Sequence, residues 1–298
     1  MHGLLLLHKP TGMTSNAALS RVKRVLKTKS AGFAGTLDPM ATGVLPIALG
    51  EATKCLPYIE DVDKEYEFTV RWGVETDTLD TEGKIISENP NRPAEDAIEN
   101  ILKNFTGEIS QIPPAYSAIK INGQRAYDLA RAGEMPEMKS RVVTIYKLKL
   151  VHMVDADHAV FRVVCSKGTY IRSLARDMAY ALGTLGHLTA LARTRAGKFA
   201  LADCIALDDL LTMSLETAAQ QVAPIPDMLP DLPRISPDAA ELARLRNGQP
   251  TPGRSPGQVL LENQPPDMHY LILKDGTAFG IGVMKDQNQL WPRRIFVY

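Results

Sequence analysis

The segment YEFTVRW alternates apolar and polar positions strictly, so Tyr66, Phe68, Val70 and Trp72 fall on one side of a strand. LLLL (Leu4–Leu7) and VLPIALG (44–50) are short unbroken apolar runs, the pattern of buried strands. Further strands are predicted near Arg141–Met153 and Ala159–Cys165. The pair Asn122-Gly123 in YSAIKINGQRAY predicts a hairpin turn. A helix capped by Ser15 and running through Lys27 would turn Leu19, Val22 and Leu26 inward. Its other face then carries Arg21, Lys23, Arg24 and Lys27. Two more helices are expected, one over 93–105 with Pro93 near its first turn and one from Tyr170 to Leu182.

The texture changes at VAPIPDMLPDLPRISP, whose five prolines fit poorly inside a helix or a central strand. A domain boundary is expected there. Beyond it, SPDAAELARLRNG reads as one short helix, with Ser236 at the cap, Pro237 in the first turn and Gly248 past the end. Short strands follow, with Asp275-Gly276 as a turn. The expected architecture is α+β: residues 1–228 form a catalytic domain on a mixed, largely antiparallel sheet, and 229–298 a small β-rich module.

Composition narrows the function classes only a little. The 298 residues can bury a sizeable core, and Lys plus Arg equals Asp plus Glu at 34 each. That balance points to no anionic partner globally, although a local basic face suffices for nucleic acid. Three scattered cysteines, Cys55, Cys165 and Cys204, make neither a disulfide framework nor a zinc spacing, which suits a reducing cytoplasm. The Leu4–Leu7 run is too short to span a bilayer. Dinucleotide, Walker, zinc-protease and nucleophile-elbow motifs are absent. ETDTLDTEG misses the EF-hand spacing and reads as a solvated turn. His8, His152, His158, His187 and His269 read as ordinary surface or core histidines. No cofactor and no metal are expected.

One loop stands out. GTLDPMATGVLP (35–46) holds a single carboxylate, Asp38, among glycine, proline and small apolar residues. Locally an Asp before a Pro is a turn-former, and its company elsewhere alters that reading. KPTGMTS, AGTLDPMATGVLPIALGEATK, KEYEFTVRWGVETDT, PPAYSAIKINGQRAYDLAR, CSKGTYIRSLARDM and LARTRAGKF follow in order over residues 3–200. Together they resemble the TruB family of tRNA pseudouridine synthases. The resemblance implies isomerisation of a uridine in the T-arm of tRNA, with Asp38 as the catalytic nucleophile.

A carboxylate can attack either C1′ of the sugar or C6 of the base without a cofactor, and the sequence leaves both open. A stiff loop suits the near-attack geometry this needs. An apolar pocket disfavours a charged carboxylate, so a cationic partner is expected. The resemblance supplies Arg172, which also falls in the first turn of a helix, where a cation needs a compensating acid. It makes Tyr66 the active-site tyrosine, whose ring stacks on the extracted base and whose hydroxyl lies where C5 deprotonation needs a group, and Leu191 a pocket wall. Lys9 supports the catalytic loop or meets phosphate. Arg193, with Arg195, Lys198 and the basic helix face, is expected to contact RNA.

Phe33 stands where many relatives carry His, and its ring is expected to fill the vacated stack as a wedge. The terminal module fits a PUA-like RNA-binding module, with Trp291, Arg293 and Arg294 toward the acceptor stem. The resemblance further implies a cytoplasmic monomer with no obligatory protein partner and no membrane. Two rivals remain: a catalytically weak RNA-binding protein of the same fold, and an Asp-nucleophile hydrolase of small sugars or nucleosides. The second needs another carboxylate, and none is expected near Asp38.

Overall fold

The computed structural model describes residues 1–117, 119–121, 123–134, 136–252, 268–285 and 289–298. In chain order the strands are β1 (Gly3–Lys9), β2 (Ala31–Phe33), β3 (Thr42–Leu49), β4 (Lys64–Trp72), β5 (Val74–Thr76), β6 (Ile85–Glu88) and β7 (Gly107–Gln111). Next come the small hairpin β8 (Lys120–Ile121) and β9 (Gln124–Arg125), then β10 (Arg141–Met153), β11 (His158–Cys165), β12 (Gly186–Ala196), β13 (Phe199–Ala200) and β14 (Ile205–Ala206). The last four are β15 (Arg234–Ile235), β16 (His269–Lys274), β17 (Thr277–Lys285) and β18 (Gln289–Ile295). Helices are α1 (Ser15–Val25), α2 (Leu56–Glu60), α3 (Glu95–Leu102), α4 (Ala126–Arg131), α5 (Ile171–Ala181), α6 (Leu207–Thr212), α7 (Leu215–Ala219), α8 (Ile225–Met228) and α9 (Ala239–Arg246).

A large sheet runs in the order β14-β1-β3-β12-β4-β11-β10-β7, with β2 against β3 and β13 against β12. Two of its joints, β1 with β14 and β12 with β3, are parallel and the rest antiparallel. The mixed, largely antiparallel α+β expectation therefore holds. Alternation along β4 works as the pattern demands: Phe68, Val70 and Trp72 are buried, and Phe68 stacks on Phe161 of β11 with ring centroids 5.3 Å apart. Asn122, the first residue of the expected hairpin turn, lies outside the described residues, while β8 and β9 on either side of it do pair.

The middle of the sheet sets up the site. Strand β12 lies between β3 and β4, so Arg193 pairs with Gly43 on one side and with Tyr66 on the other. Gly43 has φ +109°, and a Cβ there would run into the backbone of Arg193. Only glycine permits that approach.

Several boundaries differ from expectation. Thr14, not Ser15, caps α1, accepting the Ala17 amide at 3.1 Å, and α1 stops at Val25. Ser15 is buried and exchanges two 2.9 Å hydrogen bonds with the backbone of Leu37. In α9 the cap is Asp238 with a reciprocal partner in Glu241, because a carboxylate at that position reaches the exposed amides of the first turn. Pro93 precedes the α3 cap, Ala94, rather than entering the helix. The proline-rich stretch is not a bare linker. Pro226 sits in the first turn of α8, where its missing N–H costs nothing, and Ile225, Met228 and Leu229 are buried.

A second sheet, β15-β16-β17-β18, forms the small β module. Its Leu271, Ala278, Ile281 and Phe296 share one apolar cluster with Leu4, Ala34, Val44 and Ala196. The core thus crosses the proline-rich stretch, since a small sheet must cover one face against something else.

Gly43→Ala should lower stability by at least ~2 kcal/mol through strain and backbone collision. Urea unfolding should show a lower midpoint at an unchanged slope. A midpoint equal to wild type would contradict the close approach of β3 and β12.

Candidate active site

Asp38 opens a turn in the loop before β3, in which the Ala41 amide donates to its carbonyl at 3.1 Å. Three buried groups hold that loop from behind. Lys9 is buried, and its Nζ donates to the carbonyls of Pro10 (2.8 Å), Met13 (2.7 Å) and Pro39 (3.3 Å). Arg193 is buried too, donating from Nε to Val44 O and from Nη2 to Gly35 O, both at 2.8 Å. Ser15 adds its bridge to Leu37. Loop carbonyls out of reach of water need donors, and these side chains supply them. Burial pulls the Lys9 ammonium from its ordinary 10.5 down to about 8, while Asp38 acts in the opposite direction.

Arg172 faces Asp38 from the first turn of α5. Its Nη2 lies 2.9 Å from Asp38 Oδ2 and donates to Tyr116 O at 2.9 Å, while Nη1 donates to Thr78 O at 2.9 Å. Asp80 Oδ2 stands 3.6 Å from Nη1. The guanidinium fork therefore joins three separate loops to one helix. The helix start is pinned by Gln111, which accepts the Tyr170 amide at 2.8 Å and donates to Tyr170 O at 3.0 Å. An uncompensated cation here would oppose the helix dipole. Two carboxylates offset it, and the expected acid is present.

The two acids are not equivalent. Asp38 keeps 36% of its side chain exposed, against 3% for Asp80 and 5% for Arg172. Asp80 Oδ1 accepts the Thr78 hydroxyl at 2.5 Å and the Glu82 amide at 3.0 Å. Asp80 is thus committed to holding the guanidinium, and Asp38 faces the open space. This corrects the reading of ETDTLDTEG as a solvated turn: Thr76, Leu79 and Asp80 are buried. Leu79 adopts φ +63°, unusual for a residue with a Cβ, which turns this loop toward Arg172. It also corrects the expectation that no second acid accompanies Asp38. A Leu isolated among acids in TDTLDTEG was the available signal of a buried turn.

Two clefts meet at the Asp38–Arg172 pair. One, of about 800 Å³, is walled by Tyr66, Leu191, Lys64, Arg141 and Tyr170. The other, of about 900 Å³, is lined by Asn16, Thr78, Asp80, Glu82, Tyr116 and Tyr127. Burial, then Asp80 and Asp38, raise the Glu82 carboxyl above its ordinary value. Burial also raises the Tyr66 phenol, and the neighbouring Arg193 guanidinium opposes this. Tyr66 therefore keeps its proton at neutral pH. Among the described residues no cluster of His, Cys, Asp and Glu is placed to hold a metal ion.

The structure gathers Asp38, Tyr66, Arg172 and Leu191 around one cleft. It does not make surface contacts of Lys9 and Arg193. Lys9 gives its ammonium to three loop carbonyls, which is the loop-support role of the two expected of it. Arg193 lines the cleft wall but gives Nε and Nη2 to Val44 O and Gly35 O, so loop support is the role its hydrogen bonds show. Phe33 sits on β2, half-buried against the core, and lines neither cleft. Arg21 and Arg24 on α1 and Lys27 just after it are exposed, whereas Arg195 is partly spent on Gly197 O at 2.6 Å.

Comparison with known proteins finds the following. A family described as TruB family pseudouridylate synthase, N-terminal domain, matches residues 23–171. The tRNA pseudouridylate synthase B C-terminal domain matches 172–231. The chain is 50% identical over 255 residues to tRNA pseudouridine synthase B of Bradyrhizobium diazoefficiens, covering 84% of this chain and 74% of that one. It is 47% identical over 248 residues to the protein of that name from Caulobacter vibrioides, covering 83% and 80%. Among solved structures, a Cbf5-Nop10-Gar1 complex contains a chain matching with TM-score 0.75 and 25% identity over 99% of this chain and 85% of that one. The archaeal box H/ACA sRNP Nop10-Cbf5 complex matches with TM-score 0.74 at 24% identity, over 99% and 86%.

Substituting each acid should separate their roles in stability. Asp80→Asn strips a buried guanidinium of a committed partner and should cost about 2–3 kcal/mol. Asp38→Asn, at a partly exposed pair, should cost no more than about 1 kcal/mol. Equal urea midpoints for the two variants would contradict this division.

Proposed function

The chain belongs to the TruB family of pseudouridylate synthases, and on that footing we propose that it isomerises a uridine in the T-arm of tRNA to pseudouridine, with Asp38 as nucleophile. The observation that carries the site assignment is the 2.9 Å Asp38–Arg172 pair beneath a cleft walled by Tyr66 and Leu191. Isomerisation breaks the bond from N1 to C1′, turns the base and joins C5 to C1′, with the C5 proton passing to water and N1 taking one from water. No electrons enter or leave, so a carboxylate and a shaped pocket suffice, without cofactor or metal. Asp38 forms the covalent bond, and the loop held by Lys9, Arg193 and Ser15 keeps it in place for attack.

A uridine in a folded T-arm must leave its stack to reach Asp38, at a cost of a few kcal/mol. Stacking on the Tyr66 ring returns about 1–3 kcal/mol. Because Tyr66 stays protonated, its ring is the part this reading uses. Leu191 closes the pocket, and Phe33 fills the gap the base leaves behind. The exposed arginines of α1 and the β module, through Trp291, Arg293 and Arg294, extend the RNA-binding face. We read residues 1–228 as the catalytic part and 229–298 as an RNA-binding module of PUA-like kind. The same reading has the chain acting as a cytoplasmic monomer without an obligatory protein partner. Among the described residues no helix is long and apolar enough to cross a membrane.

Asp38→Asn should abolish pseudouridine formation on pre-folded, unmodified tRNA while leaving binding within a few-fold of wild type. Mapping pseudouridine after saturating incubation checks this, and appreciable residual turnover would refute the nucleophile. Phe33→Leu should slow single-turnover conversion of folded tRNA about ten- to a hundredfold, since each 1.36 kcal/mol of lost stacking is tenfold. On a short unstructured RNA the loss should shrink. An equal loss on both RNAs would leave Phe33 a packing residue.

A further inference from the structure

The rim of the 800 Å³ cleft carries an ion pair that the reaction as derived does not use. Asp61, at the end of α2, and Lys167, in the turn before α5, both line the cleft. Lys167 Nζ lies 2.6 Å from Asp61 Oδ2, with the side chains 60% and 63% exposed. The pair joins the segment leading into β4, which carries Tyr66, to the one leading into α5, which carries Arg172. Because Lys64 pairs with Cys165, it ties the neighbouring ends of β4 and β11 on one side of the cleft. Arg141, on the same rim, lies with its guanidinium 5.9 Å from the Tyr170 ring centroid.

We infer that Asp61 and Lys167 form a strap along the cleft rim which the sugar-phosphate backbone of the substrate opens, taking Lys167 as a phosphate contact. This rests on the reading of the cleft as an RNA site. An exposed pair of this kind is weak, so it opens at little cost. A phosphodiester gives Lys167 an equivalent negative partner and releases a bound counterion in the exchange. Asp61 cannot follow, because the phosphate repels it. Asp61 thus holds Lys167 in reserve on the rim and lowers affinity for any polyanion that does not displace it.

The two residues can be tested as a cycle, with equilibrium binding of the full chain to pre-folded, unmodified tRNA over a range of salt. Asp61→Asn should tighten binding about two- to fivefold, the amount an exposed ion pair can withhold. Lys167→Met should weaken binding and reduce the salt slope by about one. In the Lys167→Met background, Asp61→Asn should tighten binding less, since the cation it restrains is gone and only its repulsion of the phosphate remains. Tightening of equal size in both backgrounds would show plain repulsion by Asp61 and overturn the strap, as would no effect of either single change. Wild-type protein that fails to bind tRNA would sink the RNA reading itself, whereas tRNA binding with an additive cycle would sink only the strap.

Discussion

The site depends on one guanidinium. Arg172 sits where the α5 dipole disfavours a cation and makes up for it by meeting Asp38, Asp80 and the carbonyls of Thr78 and Tyr116. A lysine offers a point charge and cannot reach four acceptors on three loops with fixed geometry. With Arg172 in place, the Asp38 loop, the Leu79–Asp80 turn and the segment after β7 have one relative position. The buried acid balances the charge, which leaves the exposed acid free for chemistry.

Behind Asp38 the same economy recurs. Lys9 and Arg193 are cations of the kind that usually face water, yet both are turned into the protein to satisfy loop carbonyls. A hydroxyl at Ser15 completes the set. Leu37, Met40 and Ala41 of this loop pack into the core, and the hydrogen bonds fix the carbonyls that packing leaves unsatisfied. Gly43 then lets β12 pass close enough for Arg193 to reach.

The β module is joined to the catalytic part by more than a tether. Phe296 and Ile281 pack in the cluster that contains Ala34 and Ala196. Lys54 donates to Ile295 O at 2.8 Å, and Glu51 accepts the Val297 amide at 2.8 Å. Ala34 directly precedes the Asp38 loop, so the module packs against the chain that leads into the site.

Period-two alternation and short apolar runs were enough to give β1, β3, β4, β10 and β11, because a strand's two faces are written locally. The lone acid in GTLDPMATG was visible for the same reason, as were Tyr66 and Arg172 once the ordered blocks were set side by side. Caps were less legible: Thr14 and Ser15 are adjacent hydroxyls, and only packing decides which one caps the helix and which bridges to Leu37. The fate of each charge was not legible at all. Lys9 and Arg193 look like surface residues in sequence, Asp80 looks like a solvated turn, and Lys167 is exposed where they are buried. Whether a charge is buried depends on partners far along the chain, as with Thr78, 94 residues from Arg172. The strands and the lone acid of the loop belonged to the sequence; which ions are struts and which face the cleft was decided only when the loops closed on each other, because burying a charge is allowed only where its partners meet.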